Sequence, residues 1–503
     1  MAQQRFSSSS LSLSSTAMTM TLIICLALGL GQVFLIALNP IIGLLGALGI
    51  ILIVLLFMQS EIALPLYILM AGPCIVFSAS SSGIMSRLYI GDVLFILIVG
   101  LWLLYEMSSK RKTTLERREL RILVPLLCLA FLGFLSIVYS RMFPDRHVTY
   151  AFVHSNVSLS LVNAVEMGLL IGLPLFIVIV PKMVRTLRDA KWMIWAYQLV
   201  GLPYALGTIF AGPLHLYSQD VILGVQRPLV LGTSSSGLGI LNVLFTCLSL
   251  GQMLYARQRA TRLRLGLLTC IYAGGVAMAF GRESWLGLII GIWVILGLRY
   301  KNPIALLIPL ALLPLVPLFF PSITNFFNPA KVYGADRLNI WQDAIVIWLR
   351  SPYMGIGAGN FQFFDIAYGT EVVGVAHNQF LEVLAEMGVQ GLVCLLLAII
   401  MMGRVAFERF NTAVSDLGKG IALAYLGYFA ALVFASFFTS LFVPSADSGG
   451  GTGAFIVSSY PWLFLGLVLS IPNWDHEATA LDTPTELYEL ADMNMQHKKV
   501  EVS

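Results

Sequence analysis

Charge is what this sequence is short of. Of its 503 residues only 11% are Asp, Glu, Lys or Arg, 58% are hydrophobic, and the mean hydropathy is +0.86. A soluble domain carries about a quarter charged residues, so the shortage excludes that class and predicts a polytopic membrane protein. The net charge of +4 is small and is not collected into a patch, and no nucleic-acid partner is implied. Metal-binding cysteine patterns are missing as well. The six cysteines (Cys25, Cys74, Cys128, Cys247, Cys270, Cys394) all fall in apolar runs, with neither a CxxC pair nor a Cys/His spacing suited to zinc, and read as packing residues. A dinucleotide fingerprint is absent too. The glycines of GIGAGNF (Gly355 to Phe361) alternate rather than follow GxGxxG, and no strand precedes them, so they predict a tight loop. There is no internal repeat.

What the chain has instead is one hydrophobic run after another. With about 20 apolar residues needed to cross a bilayer, spans are predicted near 18–38, 40–58, 62–79, 89–106, 122–139, 161–181 and 192–211. Seven more follow near 229–254, 265–280, 284–298, 303–320, 380–402, 420–440 and 454–471. The predicted fold class is therefore all-α, a polytopic transmembrane helix bundle of about 12 to 14 spans. Its organisation reads as a disordered cytoplasmic N-terminus (1–17), a single transmembrane domain (18–471) containing one large outer, periplasmic loop with short helices (321–379), and a mostly disordered cytoplasmic tail (472–503). The Met18–Leu38 run is too long for a signal-peptide core and lacks a small-residue cleavage site, which favours an uncleaved first helix.

Lys and Arg are retained on the cytoplasmic side during insertion. The connections SSKRKTTLERRELR, PKMVRTLRDAK, YARQRATRLR, RYK and GRVAFERF all fall on one side of the fourteen-span arrangement. The exceptions are Arg87, Arg141, Arg146, Arg227, Arg282, Lys331, Arg337 and Arg350, which it places outside. Positive charge on the translocated side runs against the bias that sets the topology. Arg227, Arg282 and Arg337, brought together by helix packing, would suit a phosphate or pyrophosphate, which each guanidinium grips with two parallel hydrogen bonds. The alternative is that each snorkels to a headgroup or pairs with a neighbour such as Glu283 or Asp336.

The outer loop holds the other candidates. DRLNIWQDAIVIWLR, with Leu338, Trp341, Ile345 and Trp348 at helical spacing and Asp336 as N-cap, predicts an amphipathic helix stopped at Ser351-Pro352. His377 and Asn378 head the following helix. His377 either caps that helix or, beside Arg337 and with a near-neutral pKa, serves as a proton acceptor. Glu382 and Glu386, one turn apart, share a face and either orient His377, bind an arginine, or form an interfacial polar stripe. Asp92 and Glu166 are open between site and structural roles. His147, His154 and His215 sit outside without a recognisable pattern, and His476 and His497 belong to the tail.

GRESWLGLIIG, then DRLNIWQDAIVIWLRSPYMGIGAGNF, then AHNQFLEVLAEMGVQGL, in that order and flanking one outer loop, resemble the O-antigen ligase and polymerase superfamily of bacterial envelope glycosyltransferases over roughly residues 220–400. The resemblance implies transfer of a glycan from an undecaprenyl pyrophosphate carrier to a glycan, lipid or protein hydroxyl at the outer face of the inner membrane. It implies no nucleotide sugar, no metal and no other cofactor. It maps the base to His377 and the pyrophosphate-holding arginines to Arg282, Arg337 and Arg227; Asn378, Glu382 and Glu386, by their place in the sequence beside His377, are the supporting candidates. Where family members often have an Asn-rich turn after the first arginine, this chain has GTSSSG (Gly232 to Gly237). The alternative class is a secondary transporter or lipid-linked saccharide translocase, which would place its polar site near the midplane and repeat its halves. Here the polar residues gather at the outer face.

Overall fold

The computed structural model describes residues 60–71, 76–79, 87–89, 116–148, 159–222, 225–231, 233, 235–301, 334–370, 374–442 and 453–482, with isolated positions between 94 and 106. The chain divides into two units, residues 1–63 with 95–114, and residues 64–94 with 115–503. All the candidate site residues within the described part lie in the second.

The fold is a polytopic all-α bundle, as the composition predicts. In order, the elements are α1 (Ser60–Ala71), the hairpin β1 (Val76–Ala79) and β2 (Arg87–Tyr89), α2 (Arg117–Met142), α3 (Leu159–Met183), α4 (Leu187–Ile209), a second hairpin of β3 (Tyr217–Ile222) and β4 (Val225–Pro228), α5 (Ser235–Tyr255), α6 (Arg259–Met278), α7 (Arg282–Tyr300), α8 (Gly334–Arg350), α9 (Phe361–Tyr368), α10 (Gln379–Thr412), α11 (Asp416–Ala435), α12 (Gly453–Leu469) and α13 (Ile471–Asp482). Among the described residues, α2, most of α3, α5, α7, α10 and α11 are long and apolar enough to cross a membrane. The runs at 18–38, 40–58 and 303–320 and the N-terminal 1–17 lie outside the described residues. The run at 62–79 is no continuous helix: β1 interrupts it at Val76.

The centre of the bundle is α5, packed against α4, α6, α7 and α11. Small residues permit this closeness. A Cβ on Gly251 would stand 2.5 Å from the Gly420 carbonyl oxygen, so α5 and α11 meet backbone to backbone. Two phenols inside the bundle donate to carbonyls, Tyr197 to Tyr460 O at 2.9 Å and Tyr272 to Gln198 O at 2.6 Å. Buried polar groups in hydrocarbon need such partners.

One end of the bundle is rich in arginine and lysine. There Arg409, almost wholly buried, pairs with Glu116 at 2.8 Å, and Glu408 receives Arg118 and Arg121 at 3.4 Å each. Part of the expected tail docks on this end. Ile471, Trp474 and Ala478 recur at helical spacing and are buried, Asp475 accepts from Ser415 N at 3.1 Å, and Glu477 accepts from Leu187 N at 2.9 Å. Residues 471–482 are therefore an ordered helix, because this apolar stripe has a surface to cover. The opposite end carries β3–β4, the α6–α7 corner, α8, α9 and the start of α10.

Candidate active site

The polar interruption between α7 and α10 is packed on the bundle around its own apolar core. Ile356, Phe361, Phe363 and Phe364 meet Ala344 and Ile347 of α8, Val162 of α3 and Ala385 of α10. Each aromatic buried this way contributes about 2 kcal/mol. The buried stripe of α8 is Ile340, Ala344 and Ile347, whereas Leu338 and Ile345 of the expected stripe are exposed. The helix is apolar on two sides, and periodicity alone does not rank them. It begins at Gly334, so Asp336 falls in its first turn and not at its cap.

The glycine loop after α8 is held from three sides. Ala358 N donates to Ser136 Oγ of α2 at 3.1 Å, and Asn163 Nδ2 of α3 donates to Ala358 O at 2.7 Å. Ile356 N and Gly357 N donate to Ala385 O and Glu386 O of α10, each at 3.0 Å. Gly355 has φ +74° and Gly388, where α10 kinks, has φ +70°, both in the left-handed region that side chains disfavour. The two backbones touch there: a Cβ on Gly355 would lie 2.1 Å from Glu386 O, and one on Gly388 would lie 2.1 Å from Tyr353 O.

On this scaffold the four principal candidates come together from four segments. Arg227 lies on β4, with Nη1 3.5 Å from Ser235 Oγ, so the serine run that replaces the Asn-rich turn supplies it a partner. Arg282 is the first residue of α7, after the Gly281 cap. Arg337 stands in the first turns of α8 with its guanidinium 5.9 Å from the centre of the Phe438 ring. His377 precedes α10. Arg282 is within electrostatic reach of Arg337, Arg227 and Glu283, and His377 is within reach of Arg337 and Glu283. All four are half-buried.

His377 is held in a left-handed backbone conformation, φ +46°, uncommon for a residue with a side chain. The next residue fixes it there. Asn378 caps α10, its Oδ1 accepting from Phe380 N at 3.0 Å and Leu381 N at 3.2 Å. Burial lowers the His377 pKa below the usual imidazole value and the Arg337 cation lowers it further, while Glu283 pulls the other way. The shift favours the neutral ring, one nitrogen of which carries a lone pair.

The carboxylates sort differently. Glu386 Oε1 accepts from Phe361 N at 3.0 Å, fastening the start of α9, and Glu382 accepts from Ser440 Oγ. Glu386 lies within electrostatic reach of Glu166 on α3 and of Glu382. Their shared face is turned to the packing of α9 and of the segment after α11. Asp92 and His154 lie outside the described residues. Two residues with larger parts than spacing suggests are Glu283, buried and within electrostatic reach of Arg282 and His377, and Phe438, the aromatic face under Arg337. Glu283 is visible in the sequence only as the neighbour of Arg282, and Phe438 only as one of several aromatics near the end of the span at 420–440.

Arg282, at a helix N-terminus and within electrostatic reach of two further guanidiniums, presents a charge arrangement of the kind that suits a di-anionic or tri-anionic group. Residues 265–396 match the family model described as O-antigen ligase. That segment includes Arg282, Arg337 and His377 and excludes Arg227, and the resemblance to the O-antigen ligase and polymerase superfamily holds over it. The match supports a ligase- or polymerase-type function in general. No curated protein matches the chain. A solved structure titled "Structural coordination of polymerization and crosslinking by a peptidoglycan synthase complex" contains a chain 18% identical, with a TM-score of 0.39, covering 70% of this chain and 97% of that one.

Proposed function

We propose that this chain, with its O-antigen ligase segment at 265–396, transfers a glycan from an undecaprenyl pyrophosphate carrier to an acceptor hydroxyl at the outer face of a bacterial inner membrane. The observation that carries the reading is the meeting of Arg227, Arg282, Arg337 and His377, from four separate segments, at the end of the bundle away from its arginine- and lysine-rich connections.

The acceptor oxygen bonds to the anomeric carbon of the glycan as the bond from that carbon to the pyrophosphate oxygen breaks. The electron pair of the broken bond leaves with undecaprenyl pyrophosphate, and the acceptor proton passes to His377. The leaving group gains negative charge, which three guanidiniums and the N-terminus of α7 stabilise. Neutral His377 is ready to take the proton, and Glu283 stabilises the imidazolium that results. The acceptor is a hydroxyl on a glycan, a lipid or a protein.

The test is release of undecaprenyl pyrophosphate from a purified lipid-linked glycan by the detergent-solubilised protein. Arg282→Lys keeps the charge and loses the planar two-point grip, so release should fall about 10²-fold or more while the protein remains folded. Full activity of Arg282→Lys, or no carrier release by the wild type, would contradict the reading.

A further inference from the structure

At the same end of the bundle, the end of α2, the end of α8 and the glycine loop line a cavity of about 510 Å³. That is within the range of small-molecule sites, about 300 to 1,000 Å³. Its lining includes Tyr139, Arg141, Phe143, Asp145, Arg350 and Asn360, none of which the proposed transfer uses.

Two guanidiniums set its charge. Arg141 donates from Nη2 to Ser160 Oγ at 3.2 Å and to Asn163 Oδ1 at 3.1 Å, both neutral partners, which fix its position and leave its charge intact. Arg350 lies 3.3 Å over the centre of the Tyr368 ring and 3.7 Å from Asp145 Oδ2. Asp145 is itself engaged, accepting from Tyr368 Oη at 2.7 Å on both oxygens and from His147 N at 2.9 Å. Two cations against one occupied carboxylate leave the cavity positive.

Aromatic surface forms the other part. The Tyr139 and Phe143 rings are 5.1 Å apart, and Phe143 is 65% exposed. Such a wall suits the C–H face of a pyranose ring, and a guanidinium suits a carboxylate through two parallel hydrogen bonds. A neutral sugar has no use for the cations, and a bare phosphate none for the rings.

We propose that this cavity binds an acidic saccharide, a pyranose bearing a carboxylate, within the glycan handled at the neighbouring arginine and histidine cluster. Its part in transfer rests on the proposed function, whereas acidic-sugar binding rests on the cavity alone. One structural link joins the two: the glycine loop that walls the cavity is bonded along its back to Ala385 and Glu386 of α10, the helix that His377 heads.

The experiment uses the full chain in phosphatidylcholine nanodiscs and titrates a trisaccharide of glucuronic acid against a trisaccharide of glucose. The acidic probe should bind about tenfold tighter or better, and Arg141→Gln and Arg350→Gln should each remove about tenfold, the worth of one charge-assisted contact. Arg350→Gln also breaks the Asp145 pair, so a lowered melting temperature there leaves Arg141→Gln as the deciding variant. Equal affinity for both probes, indifference to Arg141→Gln, or loss of binding when phosphatidylglycerol is added would overturn the proposal, the last by assigning the cations to lipid headgroups. Carrier release distinguishes the two readings. Arg141-dependent binding without carrier release sinks the transfer mechanism and keeps the cavity; carrier release without Arg141-dependent binding does the reverse.

Discussion

At His377 two charges pull in opposite directions. Burial and Arg337 favour the neutral ring, and Glu283 favours the imidazolium. The net effect lowers the pKa, so the active, neutral form persists to more acid pH than a free imidazole, whose pKa is about 6.5, would allow. With chemistry limiting, the acid limb of the transfer rate should have its midpoint below that value. Glu283→Gln removes the opposing charge and should move the midpoint lower still; Arg337→Gln, in whatever activity remains, should move it up. A midpoint unmoved by Glu283→Gln would separate that carboxylate from the base. At this scale the arginines and His377 were legible as types: cations on the side that insertion disfavours, and one histidine in the polar loop. The partnership of Glu283 was not, because contact between the α6–α7 corner and the head of α10 is a matter of packing across some ninety positions of sequence.

Among the elements, the glycine loop and the kink in α10 form one unit. Gly355→Ala puts a side chain into the left-handed region and against a carbonyl that does not belong to a flexible side chain. The expected loss is about 3 kcal/mol, seen as a clear fall in melting temperature in detergent. An unchanged melting temperature would mean that the loop is not packed on α10 as described. Asn378, expected to support His377, caps α10 with its side chain. Among the helices of the bundle, α2, α3 and α11 and the start of α10 were legible to within a few residues, since long apolar runs have one stable outcome in lipid, whereas α10 runs ten residues past its expected end. Besides the run at 62–79 and the Asp336 cap, two readings at this scale needed correction. The exposed stripe of α8 and its buried one are both apolar, so the choice between them is made by what α8 packs on. Helix α13 was hidden by its charges, although the 471, 474 and 478 spacing was there to read.

For the whole molecule the sorting of charge and the position of the cluster agree. Arginine- and lysine-bearing connections meet at one end of the bundle in ion pairs, while Arg227, Arg282, Arg337 and His377 meet at the other. Hydropathy made that division legible, but not the cavity, because its walls come from helix ends that carry no shared motif. The central claim is that the arginines hold the donor and His377 takes the acceptor proton, and one comparison tests it most directly. Wild type and His377→Ala are purified in detergent, and for each the binding of lipid-linked donor, the melting temperature and the rate of glycan transfer are measured. His377→Ala should bind donor and melt as the wild type does, yet transfer about 10² to 10⁴ times more slowly. A His377→Ala protein that transfers at the wild-type rate, or one that fails only because it no longer folds or binds donor, would contradict the account.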